Sequence, residues 1–331
     1  MKKRGVGLGL SIYGTGYGNG FPDVSKAKVR LMEDGKVGIF VVATEVGQGA
    51  KTVMTQIAAE TLGLEIEDIL LFSEDTNISP DSGTAAASRQ TYNTGNAIKI
   101  ACENFKEKIF KCAKIELELN STIGLDIKKG KVFMKTFPRK QVFLKELGKI
   151  YKDNIVEAEG TFIAQTVQMD PDTGLGAPYW PYTFNACAVE VEVDTLTGKV
   201  EVLDSVFAQD VGKAINPKLI EGQMDGGFAM ALGYALLEDL KLKNGRIMNN
   251  KFSRYLIPTA MDMIDFEKII IEDPETTAPY GAKGIGEPVM IPVAPAILNA
   301  IYNAMGVRFT ELPVTPEKIV KALNTKVKEE D

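Results

Sequence analysis

Residues 186–209 read ACAVEVEVDTLTGKVEVLDSVFAQ. Val189, Val191 and Val193 alternate with Glu190, Glu192 and Asp194. Successive side chains of a strand point to opposite faces, so the pattern predicts an antiparallel pair, 186–194 and 199–209, turning through Thr195-Leu196-Thr197-Gly198. Asn216-Pro217 then starts a helix, an acceptor side chain followed by a residue with preset φ. It runs to about Leu237, and Gly222, Gly226, Gly227, Ala229 and Ala231 let another backbone approach it closely. Upstream, residues 27–44 alternate as strands around a Glu33-Asp34-Gly35 turn, and helices are predicted over 51–62 and 96–119, the first ended by Gly63. A strand over 68–72, a hairpin at Gly130 and a helix over 140–150 complete the first half. A helix from Pro292 to Gly306 and another starting at Thr315-Pro316 close the second. The sum is an α+β chain of mixed α/β character in two subdomains, 1–150 and 151–325, with a frayed tail over 326–331.

Bulk composition excludes several classes. The 331 residues contain no histidine, which removes Ser-His-Asp and Cys-His catalysis, His-ligated haem and zinc proteases. Cys102, Cys112 and Cys187 include no Cys-x-x-Cys pair, so neither a zinc ribbon nor a complete iron–sulfur site fits within the chain. A net charge of −6 and no basic run with interleaved aromatics argue against nucleic acid as a partner. Met1-Lys2-Lys3-Arg4 begins like a signal peptide, but the glycine-rich stretch after it lacks an apolar region and a cleavage site. No stretch reads as a membrane span, so a cytoplasmic location is expected. Gly14, Gly16 and Gly18 do not complete a dinucleotide fingerprint, because Asn19 stands where its last glycine is needed.

Four loop-to-helix junctions stand out, each able to present backbone N–H groups to an anion. They are Glu45-Val46-Gly47-Gln48-Gly49; Gly83 through Ala87, Ser88, Arg89 and Gln90; Asp210-Val211-Gly212 leading through Asn216-Pro217 to Gln223; and Gly284-Ile285-Gly286-Glu287-Pro288. Gly47 and Gly49 permit close backbone approach, and Gln48 offers a donor and an acceptor. Ser88, Arg89 and Gln90 suit phosphate or ring heteroatoms. Each segment taken alone also reads as an ordinary turn or solvated loop. Without histidine, proton transfer falls to groups such as Glu287, whose neighbours Ile285, Val289, Met290 and Ile291 could desolvate it and suit it to general-base work.

Taken in order, the four segments resemble the molybdenum hydroxylase family of xanthine dehydrogenase and aldehyde oxidase, in the C-terminal half of its molybdopterin-binding region. The resemblance runs from about Arg4 to Leu323. It implies that Gly47, Gln48 and Gly49 approach the molybdenum end of the cofactor, that Ala87, Ser88, Arg89 and Gln90 line the pterin or its phosphate, and that Gln223 contacts the pterin. Glu287 would be the catalytic base beside molybdenum, which is held through the cofactor near Gln48 and Glu287 and not by protein ligands. The implied cofactor is molybdopterin, in the cytosine dinucleotide form. The implied reaction hydroxylates a nicotinate-like N-heteroaromatic compound with water as oxygen source; purine or aldehyde oxidation is the alternative. Other regions of the family have no counterpart here. A large molybdopterin subunit, an iron–sulfur subunit and an FAD subunit are therefore expected as partners, and a separate chain of this extent resembles the medium molybdopterin subunit of nicotinate dehydrogenases. A non-catalytic cofactor carrier or assembly protein is the alternative of another class; it would keep the loops and have no use for Glu287. Tyr13, Tyr17 and Phe21 are candidates for a substrate pocket or for ordinary packing.

Overall fold

The computed structural model describes every residue except Asn19, Gly20 and Asp331, and for 326–330 it describes the backbone only. The strands are β1 (Lys2–Gly14), β2 (Val24–Leu31), β3 (Val37–Phe40), β4 (Ile69–Phe72), β5 (Leu125–Lys128), β6 (Lys131–Met134), β7 (Phe137–Phe143), β8 (Glu157–Ile163), β9 (Tyr182–Asp194), β10 (Val200–Asp210), β11 (Leu242–Lys243), β12 (Arg246–Ile247) and β13 (Glu267–Ile271). The helices are α1 (Ala50–Leu62), α2 (Gly95–Glu116), α3 (Leu144–Ile150), α4 (Pro217–Leu236), α5 (Val293–Met305) and α6 (Pro316–Glu330).

Two sheets carry two cores. The first has the order β4-β3-β2-β8, and its core of Val29, Ile39, Met54, Ile57, Ile98 and Phe105 is closed by α1 and α2. The second has the order β1-β9-β10-β13 and packs Val189, Val191, Phe207, Phe228, Ile297 and Ile301 between its inner face and helices α4 and α5. The 186–209 pair forms as expected, with Val193 opposite Val200 and Glu192 opposite Glu201, and a bulge between Val202 and Asp204. Core membership does not follow chain order at the ends of the two expected subdomains. The N-terminal strand β1 pairs with β9 in the second sheet, while β8, beyond residue 150, pairs with β2 in the first.

β1 went unforeseen because its buried positions are glycines. Gly5, Gly7 and Gly9 face inward and Val6, Leu8, Leu10 and Ile12 face outward, so the usual apolar-in pattern is inverted. The reason is α5, which lies directly on the strand. A Cβ at Gly5, Gly7 or Gly9 would stand 2.3, 2.1 or 1.9 Å from a backbone oxygen of Ala300, Ala296 or Pro292. By composition alone the stretch Pro288–Met305 is long and apolar enough to cross a membrane, contrary to the sequence reading; half of it is buried, with the inner side of α5 used against β1 and β9.

Two boundaries also differ. The helix expected over 140–150 begins only at Leu144, because Gln141 and Val142 extend β7 opposite Phe133 and Val132. The Glu146 carboxylate accepts from Phe143 N at 3.0 Å and fixes the helix start. Ahead of α2, Gln90–Thr94 form a π-helical turn that periodicity does not reveal. α6 continues to Glu330 through most of the tail expected to fray, and Asp331 lies outside the described residues.

Candidate active site

The four junctions line one cleft, and the second meets the fourth at Glu287. Ala87 and Ser88 both adopt left-handed backbone conformations, φ +54° and +52°, which non-glycine residues seldom hold. That turn aims Ala87 N at Glu287 Oε1 (3.1 Å), while Ser88 Oγ accepts from Glu287 N at 3.0 Å. Tyr13, at the far end of β1, donates its hydroxyl to Glu287 Oε2. Partial burial and the neighbouring carboxylate push the Tyr13 phenol well above its usual value, so it stays a donor. Gly284 allows the junction to close, since a Cβ there would lie 1.8 Å from Ser88 O.

The third junction holds the fourth in place. Lys283 Nζ pairs with Asp210 Oδ2 at 2.8 Å with both side chains buried, Asp210 Oδ1 accepts from Gly212 N at 2.9 Å, and Lys283 N donates to Val211 O at 3.0 Å. Asn185 Nδ2 anchors Pro288 O at 2.7 Å. Asn216 Oδ1 accepts from Leu219 N at 3.2 Å, the cap expected of α4.

At the first junction the expectation of a free helix N-terminus is corrected. The Glu45 carboxylate takes the N–H groups of Gly47 (2.9 Å), Gly49 (2.8 Å) and Lys51 (3.1 Å). Burial opposes its charge, but the three N–H donors prevail and hold the carboxyl below its usual value. An anion would therefore meet an occupied, negative site there. Gly49 is the N-cap of α1 with φ +84° and packs against Leu219, so it starts the helix and does not face the cleft. Gln48 Nε2 donates to Thr44 O (2.7 Å) and to Gln90 Oε1 (3.0 Å), joining the first junction to the second.

Arg89 needs a second correction. Its guanidinium is fully buried, paired with Asp23 and donating to Ser82 O, Thr84 O, Val24 O and Ser25 Oγ. No donor is left over for a phosphate, so any role of Arg89 toward a cofactor falls to its backbone. The desolvation expected for Glu287 is also missing in this chain. Its carboxylate is exposed, while Ile285 and Val289 turn into the second core. Tyr17 exchanges hydrogen bonds with Thr84, donating to its O at 3.3 Å and accepting from its N at 2.6 Å, and Phe21 is exposed. Tyr13 as the partner of Glu287, Glu45 as the cap and Asp23 as the counter-ion of Arg89 carried no local signal that would single them out.

Gly47, Gln48, Ser88, Gln90, Gln223 and Glu287 line one cleft of about 440 Å³. Residues 1–264 match the family model of the molybdopterin cofactor-binding domain. The chain belongs to the molybdenum hydroxylase family. A probable xanthine dehydrogenase subunit of Bacillus subtilis (strain 168) is 33% identical over 330 residues, covering 98% of this chain and 42% of that protein. The gamma subunit of the 6-hydroxypseudooxynicotine dehydrogenase complex of Paenarthrobacter nicotinovorans is 32% identical over 329 residues, covering 96% and 39%. Among solved structures, quinoline 2-oxidoreductase from Pseudomonas putida 86 superposes with a TM-score of 0.82 at 28% identity, covering 98% of this chain and 42% of that one. The molybdenum hydroxylase chain described here thus spans less than half the length of the curated relatives it matches.

The cleft fits the family's cofactor on its own geometry. Gly47 has φ +104° and open space where a side chain would stand, and Gly286 likewise leaves room at the cleft wall. The Gln223 amide, near Gly286, has no hydrogen-bond partner among the described residues, although it lines the cleft. An amide placed so has its donors and acceptor free for a ligand.

Proposed function

We propose that this chain is the molybdopterin-binding part of a multi-subunit molybdenum hydroxylase, with Glu287 as the base. The observation that carries the reading is the convergence of Tyr13, Ala87 and Ser88 on Glu287, the first two on its carboxylate, at the edge of a cleft where the Gln223 amide is unclaimed. Gly47, Gln48, Ser88, Gln90 and Gln223 would hold a molybdopterin in its cytosine dinucleotide form, with Ala87 and Arg89 contributing backbone. When bound, the cofactor supplies the redox centre and activates the oxygen that water provides. This chain's residues orient the site: Ala87 N and Tyr13 Oη set the direction of the Glu287 carboxylate, and Glu287 accepts the proton released as the substrate carbon is hydroxylated.

The substrate proposed is an N-heteroaromatic compound of the nicotinate type, whose ring carbons are electron-poor. Its support is the likeness to quinoline 2-oxidoreductase and to one part of a 6-hydroxypseudooxynicotine dehydrogenase complex. A purine is the second reading, favoured by the likeness to part of a probable xanthine dehydrogenase. A large molybdopterin subunit, an iron–sulfur subunit and an FAD subunit complete the proposed complex. In this reading molybdenum arrives with the cofactor, and the iron–sulfur clusters and flavin belong to the partners. Three free cysteines and the acidic balance suit a cytoplasmic complex.

The test uses the purified native complex carrying Glu287→Gln. Molybdenum content equal to wild type with kcat lower by about three or more orders of magnitude is expected. Undiminished turnover would remove Glu287 from the chemistry. Assays with nicotinate and xanthine on the wild-type complex separate the two substrate readings.

A further inference from the structure

Among the described residues, the second sheet has an outer face that is left largely exposed. Cross-strand register puts Leu8, Ala188, Val206 and Glu267 in one row, Leu10, Ala186, Ala208 and Ile269 in the next, and Ile12 with Phe184 at the end, where Ile271 stands opposite Asp210. Leu8, Leu10, Ile12 and Phe184 are 53%, 67%, 69% and 49% exposed. Four strands at about 4.8 Å and three rows at about 6.8 Å give a plane of roughly 400 Å². Apolar except at Glu267 and Asp210, it is of the size of the largest patch a typical monomer exposes, which is often a functional surface, and amounts to about half of one side of a standard interface.

The face is divided along the strands. Toward the other end the outward positions are charged: Arg4 pairs with Glu190 and Glu192, and Glu201 and Asp204 stand on β10. That half is complete in water. The apolar half lies at the end of β1 next to Tyr13, whose own side chain turns to the opposite, inner face and meets Glu287 there.

We infer that this apolar half-face is where the rest of the molybdenum hydroxylase polypeptide docks, the portion that relatives carry beyond the part this chain matches. The inference rests on the proposed subunit role. The same fold occurs in relatives more than twice as long, which carry a large further body of polypeptide beside it. A second copy of the chain would cover the apolar rows but bring no missing part of the site.

The test places a benzoyl-phenylalanine photo-cross-linker at position 10 of the tagged chain in its producing cell, with position 196 at the charged end as control. Leu196 is 79% exposed. The expected product from position 10 is a link to a polypeptide whose sequence matches the molybdenum hydroxylase portion absent from this chain, with no such link from position 196. In a second experiment, Leu8→Glu with Leu10→Glu should lower recovery of that polypeptide at least about tenfold while circular dichroism and melting stay unchanged. Links from position 10 to a second copy, or to an iron–sulfur or flavin chain, overturn the inference, as does undiminished recovery from the double variant. A wild-type complex holding neither molybdenum nor such a polypeptide would instead remove the subunit reading itself. One that holds both, with position 10 unlinked, removes only the docking face.

Discussion

Replacing Gly7 by alanine should damage this protein more than its single added methyl suggests. The new Cβ would sit 2.1 Å from Ala296 O and 2.2 Å from Ala300 N, where ordinary contacts begin at about 3.4 Å. Both are backbone atoms of α5, so no rotamer change can make room, and the helix must move away by about 1 Å along that strand. Overpacking of this kind costs about 1–3 kcal/mol, and the upper figure applies where backbone must yield. For a chain of this size about 3 kcal/mol corresponds to a melting temperature lower by about 4 °C. The same shift displaces the end of β1 and loosens Tyr13 from Glu287. Calorimetry on Gly7→Ala alongside Gly226→Ala measures it. Gly226 is an exposed position of α4 with nothing near its missing Cβ, so alanine there should stabilise by about 0.5–1 kcal/mol through helix propensity. A Gly7→Ala protein melting within 1 °C of wild type, or an equal loss from Gly226→Ala, would refute the close-approach reasoning.

Three further outcomes are expected. Tyr13→Phe removes one of the donors that orient Glu287, and kcat of the complex should fall about tenfold with molybdenum content unchanged; equal kcat would show that the phenol does not position the base. Arg89→Met leaves the buried Asp23 carboxylate without its counter-charge and should cost about 3–5 kcal/mol in denaturant unfolding, where a loss below 1 kcal/mol would contradict the pairing. Glu45 has its folded-state pKa below the ordinary 4.5, so its stabilisation is present above that pH and is lost as pH falls through the lower folded value. Glu45→Gln should thus be less stable than wild type by about 1 kcal/mol at pH 7, with the gap closing in acid; a gap that widens below pH 4 would reverse the sign.

Local chemistry made much of this chain legible. The β9–β10 pair, the Asn216-Pro217 start of α4, the Gly63 stop of α1 and the turn at Gly35 each depend on residues within a few positions of one another. The ordered loops, too, could be read one at a time, and they named Gln48, Ser88, Gln90, Gln223 and Glu287 as residues that do line one cleft. The β1 strand could not be read, because glycine in a strand gains its meaning only from the helix pressed against it. For Arg89 the residue type suggested an anion site. Its five donors were already committed to a carboxylate 66 positions away and to the nearby chain.

By itself, then, the sequence determined the local elements, the absence of histidine chemistry and the identity of the loops. Tertiary structure alone decided what those loops do to one another: that Arg89 turns inward, and that Tyr13 and Ala87 meet Glu287 across separations of 274 and 200 residues. The physical reason is that capping and alternation act between neighbours in the chain. A carboxylate's environment is set by whichever groups packing brings within a hydrogen bond of it.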